Sequence, residues 1–504
     1  MKAADSCYFR FLPVIVYSLI CLLFTSCTLP HPVDISQEIQ AIENGLLPPI
    51  QVSGDTLTHY SIEDRMEYYH VPGVSIAIVK DGKIHWAKGY GIANTQSATP
   101  VDTATLFQAG SISKPLAALG ALKLVEEDRL DLDTDVNRYL KSWKVPENKF
   151  TDQSKVTLRL LLTHSAGMTV HGFPGYAQSD TMPSLIEVLN GQGNTPPVVV
   201  DTVPGSRWRY SGGGYSVMQQ MVEDVAGLPF TQFLDDSILR PLGMHNSTYA
   251  QPLIASLHPQ ASAAYDRNGE LIEGLWHNYP EKAAAGLWTT PADLARYCLA
   301  VQRIADGATG EVLKPETIRT MLTKHLNDWG LGPALRWEGD SLLFGHGGKN
   351  AGFSNNMLAS VHQGYGVIVM TNADQGVDLM NEIMRSVSAY YQWSISNPRI
   401  VEITQLTEAQ LNRLAGSYQM DRQVPGIGDY VVELSIKDGK VLVYDPNNKE
   451  TNTLSPLGEW KFIDVNTGDE VVFAPSGKSP GLFQLNWNNQ FVFYQTARGG
   501  NLDE

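Results

Sequence analysis

Apolar residues fall into blocks whose spacing changes along the chain. Gly73 to Val79 is a continuous, largely β-branched run, and Ile84 to Gly91 is a second. Asp81-Gly82 lies between them and suits the positive φ of a tight turn, so a β-hairpin is predicted. From Leu116, residues Leu119, Leu122, Leu124 and Val125 recur at helical spacing as far as Glu126-Glu127-Asp128. Thr157 to Thr163, Tyr215 to Val225 and Thr290 to Val301 also read as helices. The last opens with an N-cap threonine, Pro291 and an acid, Asp293, in its first turn. Gly366 to Met370 reads as a buried strand. Strands at both ends of a helix-rich middle predict an α+β domain over residues 56–398, a mostly antiparallel sheet flanked by helices. After about residue 400 the texture changes. Glu402 to Leu414 reads as a short helix. Val431 to Ile436, Asp438-Gly439 and Val441 to Tyr444 then form a hairpin, followed by strand-like runs at Glu470 to Ala474, Gly481 to Trp487 and Phe491 to Thr496. Residues 402–504 are therefore expected to form a small all-β domain, a barrel or a curved sheet.

The N-terminus follows a different pattern. Lys2 and Arg10 precede an apolar run of 14 residues, Phe11 to Phe24, followed by Thr25-Ser26-Cys27. That order is a secretory signal, here residues 1–26, and the run falls short of the about 20 residues a bilayer span needs. Phe24-Thr25-Ser26-Cys27 also resembles a bacterial lipobox, although Phe24 stands where leucine is usual. Cys27 is thus a candidate for lipidation, and an exported, periplasmic or cell-envelope protein anchored to a membrane is expected. Residues 27–55, with Pro30, Pro32, Pro48 and Pro49, read as a tether.

Composition narrows the classes. At roughly 150 residues per domain, 504 residues suggest about three units, and 43% hydrophobic with 18% charged residues excludes a disordered chain. A net charge of −16 with no Lys/Arg cluster makes nucleic acid a poor partner. Of four cysteines, Cys7 and Cys21 would leave with the signal and Cys27 would carry lipid. Cys298 would remain alone, without a disulfide. Asp131, Asp133 and Asp135 begin like a calcium loop, but Val136 and Ser142 stand where glycine and glutamate are required. No zinc spacing and no nucleotide-binding glycine pattern is present, so no metal or cofactor is expected. Gly477-Lys478-Ser479-Pro480-Gly481 fits the expression for a hydrolase elbow, but a proline and a following strand make it a turn.

Ser111-Ile112-Ser113-Lys114 is more informative. Positions i and i+3 share a helical face, so the hydroxyl and the amine can meet, and a neutral lysine can take the proton of a serine nucleophile. Alone, the motif reads better as an N-cap serine with a surface lysine. Two further stations follow in order, Tyr210-Ser211-Gly212 and His346-Gly347-Gly348. Leu161 to Met168 (LLTHSAGM) and Ala285 to Leu294 (AGLWTTPADL) accompany them. Together these segments, over about residues 60–395, resemble the serine β-lactamase and penicillin-binding-protein superfamily. The likeness is to its class C β-lactamase, D-alanyl-D-alanine carboxypeptidase, D-aminopeptidase and esterase branch.

The resemblance implies a five-stranded-type antiparallel sheet with a helical subdomain beside it and a cleft between them. It also implies a small lipocalin-like C-terminal barrel. Ser111 would be the acylated nucleophile and Lys114 its proton acceptor. Tyr210 would share the base role and protonate the leaving group. His346 would take the first place of the family's Lys-Thr-Gly triad, with Gly347 and Gly348 beside the substrate. The backbone amides of Ser111 and Lys349 would form the oxyanion hole. Two departures bear on substrate. Gly212 stands where the family's Tyr-x-Asn motif has an amide for the acylamino group, and His346 replaces a lysine that would fix a carboxylate. Both point to an esterase-like or D-amino-acid peptidase or amidase activity. A true β-lactamase or penicillin-binding carboxypeptidase is the alternative, and a catalytically silent binding lipoprotein the second. The expected partner is a small-molecule or peptide substrate. Outside that set, His164 reads as structural, and Arg207, Trp208 and Trp288 as cleft or core.

Overall fold

The computed structural model describes residues 34–310, 312–424 and 427–498. The signal, the lipobox and Cys27 lie outside them. Residues 35–40 belong to a helix, Ile35–Glu43.

The hairpin predicted at Asp81-Gly82 forms, with both residues at positive φ, and starts the central sheet. Its strands are β1 (Gly73–Lys80) and β2 (Lys83–Asn94), then β3 (Thr99–Pro100), β4 (Ala334–Glu338), β5 (Ser341–Asn350), β6 (Phe353–Ser360) and β7 (Gly366–Thr371). They lie in the order β3-β2-β1-β7-β6-β5-β4, every pair antiparallel, so short edge strands extend the expected five to seven. β1 and β7, from opposite ends of the domain, are neighbours in the middle, with Ile76 opposite Val369 and Ile78 opposite Val367. Both are buried along nearly their whole length, which is why their sequences are continuous apolar runs rather than alternating ones.

Helices α1 (Ser113–Glu126), α2 (Gly212–Ala226) and the single turn α3 (Lys282–Ala285) pack on one another beside the sheet, while α4 (Pro291–Ala305) and α5 (Gly376–Tyr391) pack on it. α1 is apolar almost all round and buried at eleven positions, so tertiary packing rather than a polar face holds it. α4 has the predicted start, with the Thr290 hydroxyl accepting the Asp293 N–H.

The β-rich tail is a closed eight-stranded barrel: β8 (Gly416–Met420), β9 (Val431–Lys437), β10 (Lys440–Asp445), β11 (Glu450–Pro456), β12 (Lys461–Asp464), β13 (Glu470–Pro475), β14 (Phe483–Trp487) and β15 (Phe491–Arg498). Each strand pairs with the next and β15 closes on β8. The helix expected over residues 402–414 is shorter, α6 (Glu408–Asn412), because a strand, Arg399–Val401, and five residues of irregular chain precede its Thr407 cap. Leu411 and Leu414 enter the barrel core beside Tyr418, Phe462 and Phe473.

The tether reading is corrected for residues 42–52. Ile42, Leu46, Leu47 and Ile50 are buried, and Ile50–Val52 pairs in parallel with Arg399–Val401. The prolines suggested a linker, whereas the apolar residues between them serve as packing. Ile50 and Val401 close over Ile463 of β12, and Arg399 pairs with Glu470 of β13, fastening the barrel to the α+β domain.

Candidate active site

Ser111 lies in a 3₁₀ turn, Gly110–Ile112, that runs directly into α1. Gly110 has φ +54°, and a Cβ there would stand 2.5 Å from the backbone N of Lys349. Likewise, a Cβ on Gly348 would stand 1.9 Å from the Ala109 carbonyl oxygen. Glycine at both positions lets the turn lie against the end of β5, where residues 346–350 run past the last partner on β4.

One helical turn on, the Lys114 amine donates to Ser111 Oγ at 2.8 Å and to the Ala284 carbonyl at the end of α3, also 2.8 Å. Lys114 is 2% exposed, and burial alone lowers its pKa to about 7. The amine is therefore largely neutral just above neutral pH. Its lone pair can then accept the serine proton across the same contact.

Tyr210 faces the Ser111 side chain, and its ring lies 5.0 Å from the Lys114 nitrogen. Burial raises its pKa above the ordinary tyrosine value, with the nearby Ser111 hydroxyl opposing. Amine and phenol are thus driven apart, one toward the neutral base and the other toward the neutral acid.

His346 is buried. Its pKa falls to about 3 through burial and then the nearby Lys114 charge, so it is neutral in the physiological range. Nδ1 bonds its neighbour's carbonyl, Gly347, and Nε2 has no partner among the described residues. Gly347 is open, with no atom closer than 3.9 Å to where a Cβ would stand. The Lys349 side chain turns away to Asp374, 2.7 Å, and the Ser354 hydroxyl, 3.0 Å, leaving only its backbone beside Ser111. Ser111, Lys114, Tyr210, His346 and the backbone of Gly348 and Lys349 thus lie in one region, and Gly212 is in the first turn of α2.

The surroundings of Gly212 were not foreseen. A Cβ at this position would stand 2.8 Å from Phe173, so the place of the family's amide is taken by an aromatic ring from another loop. Residues 169–173 are strapped to the start of α2: the Ser211 hydroxyl donates to Thr169 O, Gly213 N to Val170 O and Gly212 N to His171 O. Val170 is held at φ +62°, a costly conformation for a β-branched residue. His164 is structural at the cleft itself. Its Nδ1 accepts the Ser211 N–H at 3.1 Å, and its ring lies 4.2 Å from Tyr210 and 5.0 Å from Trp329. Trp329 also stands 5.4 Å from His346 and 5.6 Å from Trp208. No sequence signal marked Trp329 or Phe173. Trp288 is fully buried core, and Arg207 is exposed and bonds Thr202.

Among the described residues, no group of three or more His, Cys, Asp or Glu side chains is placed to hold a metal ion. The chemistry the cleft can perform is that of a serine bonded to an amine, with a phenol beside them.

Fold and cleft together define a serine-hydrolase scaffold of the β-lactamase and penicillin-binding-protein type. A family model described as Beta-lactamase matches residues 61–389, and the chain belongs to that family. It is 25% identical over 324 residues to Protein flp of Staphylococcus aureus (strain MW2), covering 62% of this chain and 61% of that protein. In fold it is similar to the octameric penicillin-binding protein homologue from Pyrococcus abyssi, with a TM-score of 0.59, 23% identity and coverage of 86% of this chain and 98% of that one. It is also similar to the D-amino acid amidase from Ochrobactrum anthropi SV3, with a TM-score of 0.55, 21% identity and coverage of 71% and 98%.

Proposed function

We propose that the protein is a serine hydrolase that forms an acyl-enzyme on Ser111. The observation that carries this reading is the 2.8 Å contact between Ser111 Oγ and a buried lysine whose pKa is lowered to about 7. Lys114 removes the serine proton as Oγ attacks the carbonyl carbon. The amides of Ser111 and Lys349 receive the developing oxyanion. Tyr210, held protonated by burial, delivers a proton to the departing nitrogen or oxygen. The C–N or C–O bond breaks, and the Lys114 ammonium returns a proton to the Tyr210 phenolate. The neutral amine then accepts a proton from the water that attacks the ester, and that proton passes back to Ser111 Oγ as the acid leaves.

The substrate class follows from what flanks the serine. A neutral His346 offers no fixed cation to a substrate carboxylate, and Phe173 presents an apolar surface where an acylamino group would otherwise meet an amide. Both favour esters or amides of uncharged, apolar acyl groups, D-amino-acid amides included, over β-lactams. Likeness to a D-amino acid amidase supports the same direction. A fluorophosphonate probe is expected to label the wild type and to leave Ser111→Ala unlabelled; equal labelling of both would sink the assignment. Export and anchoring through Cys27 belong to the same proposal. Mass spectrometry of the mature protein should find a lipidated Cys27 at its N-terminus, and an intact Met1 would contradict it.

A further inference from the structure

The barrel is not filled along its whole length. One end is occupied by Leu411, Leu414 and the aromatic core around Phe462 and Phe473. At the other end, where β8, β10 and β14 finish and β9, β11 and β15 begin, a cavity of about 550 Å³ remains. That is within the roughly 300–1,000 Å³ range of small-molecule sites, and barrel mouths are a common place for them. Val432, Val443 and Phe493, all buried, line it, with Trp487 beside them.

Its polar groups differ in availability. Asp445 is buried and already accepts the Tyr430 hydroxyl and two bonds from Asn447, the backbone N–H and the side-chain amide, each 2.9 Å. Its charge is satisfied from within. Arg422 is exposed and lies over the Phe491 ring at 5.7 Å, with no ion-pair partner recorded among the described residues. A guanidinium with free donors at the rim of an apolar cup matches a molecule with an apolar body and an anionic, planar head.

We propose that the barrel mouth is a second binding site, separate from the Ser111 cleft, for an amphiphilic monocarboxylate. Its chain enters the cavity over Val432, Val443 and Phe493, and its carboxylate pairs with Arg422. The position is independent of catalysis, because none of these residues contributes to the Ser111 contacts.

The test is isothermal titration of the full chain, carrying Ser111→Ala so that nothing is turned over, with decanoate, decanol and decylamine. Decanoate is expected to bind saturably at one site and more tightly than decanol or decylamine. Arg422→Ala should weaken decanoate by about tenfold or more, the scale of a lost charge-assisted bond, and leave decanol unchanged. Val443→Trp, which fills the cup, should remove binding of both. Should Val443→Trp lower the melting temperature, Arg422→Ala, a change on the exposed rim, decides alone. No saturable decanoate binding, or equal binding in the wild type and Arg422→Ala, overturns the proposal. Tighter binding of decylamine than decanoate overturns the assigned head group and with it the site as described.

Discussion

The cleft gathers residues 110–114, 164, 210, 284 and 346 from separate stretches of chain, whereas the barrel mouth is made by the ends of consecutive strands, each bonded to the next. The difference shows in how polar groups are treated. Around the cleft, His164 Nε2, His346 Nε2, Trp208 Nε1 and both oxygens of Glu281 are buried with no hydrogen-bond partner among the described residues. In the barrel Asp445 has three donors, and among the described residues Asn486 Oδ1 is the exception. Unpaired buried groups are costly. The α+β domain also carries them away from the cleft, at Tyr90, Tyr297 and Gln302, but at the cleft they include the groups whose protonation states are shifted. A local meander satisfies its polar groups as it folds. A site assembled from distant segments keeps groups whose properties depend on remaining unsatisfied.

Removing the base should show the contrast most strongly. Lys114→Ala is expected to lower kcat/KM for a small ester by about 10³-fold or more. Decanoate binding at the barrel should be unchanged. Loss of both on that one substitution would mean that the two regions are coupled.

The pH profile sharpens the same point. Lys114 must be neutral to act, so kcat/KM should climb by about tenfold per unit below its pKa of about 7 and then level off. Tyr210, raised by burial, stays protonated through this range, and His346, at about 3, adds no inflection. A flat profile from mild acid to mild alkali would remove Lys114 from the base role.

What the sequence disclosed follows the same division. Ser111 and Lys114 were legible because three residues of helix bring them together whatever else happens, and the β-hairpins were legible from Asp81-Gly82 and Asp438-Gly439. Barrel strands could be read from short-range alternation, although closure of β8 on β15 could not. Phe173, Trp329 and Glu281 were invisible. Phe173 reaches Gly212 only because backbone bonds strap residues 169–173 to α2, and no side-chain pattern encodes that. The burial of Ile42 to Ile50 was hidden for a related reason, since Ile50–Val52 finds its partner strand only across the whole α+β domain.

Two buried carboxyls put the comparison into stability. Glu281 is fully buried, with no partner from another residue among the described ones, and burial raises its pKa from 4.5 to about 7 against the pull of its own backbone. The folded state then holds a proton that the unfolded chain has released, so stability falls as pH rises from about 4.5 to about 7 and stays low above that. Glu281→Gln should recover up to about 3 kcal/mol at pH 8 and nothing at pH 4 in urea unfolding. Asp445→Asn, which breaks partnered bonds, should instead lose about 1–3 kcal/mol at pH 8. Both substitutions destabilising equally would erase the distinction between the two regions.

The smallest effect concerns selectivity. In the cleft an aromatic ring on a strapped loop stands where an amide would otherwise come from α2 itself, so both positions must change to test it. Phe173→Ala alone opens a hole beside Gly212 and should lower turnover of apolar acyl esters without favouring acylamino substrates. Phe173→Ala with Gly212→Asn supplies the amide and the room for it. The ratio of kcat/KM for an N-acyl-amino ester to that for a simple ester should then rise by about tenfold, the scale of one hydrogen bond to a substrate. Val170, at φ +62°, gives a control: Val170→Gly relieves its strain, so it should preserve the wild-type ratio if Phe173 acts as a packed wall. A ratio unmoved in the double variant would show that the ring at Gly212 does not face the acyl group, and that selectivity lies on the Trp329 side of the cleft.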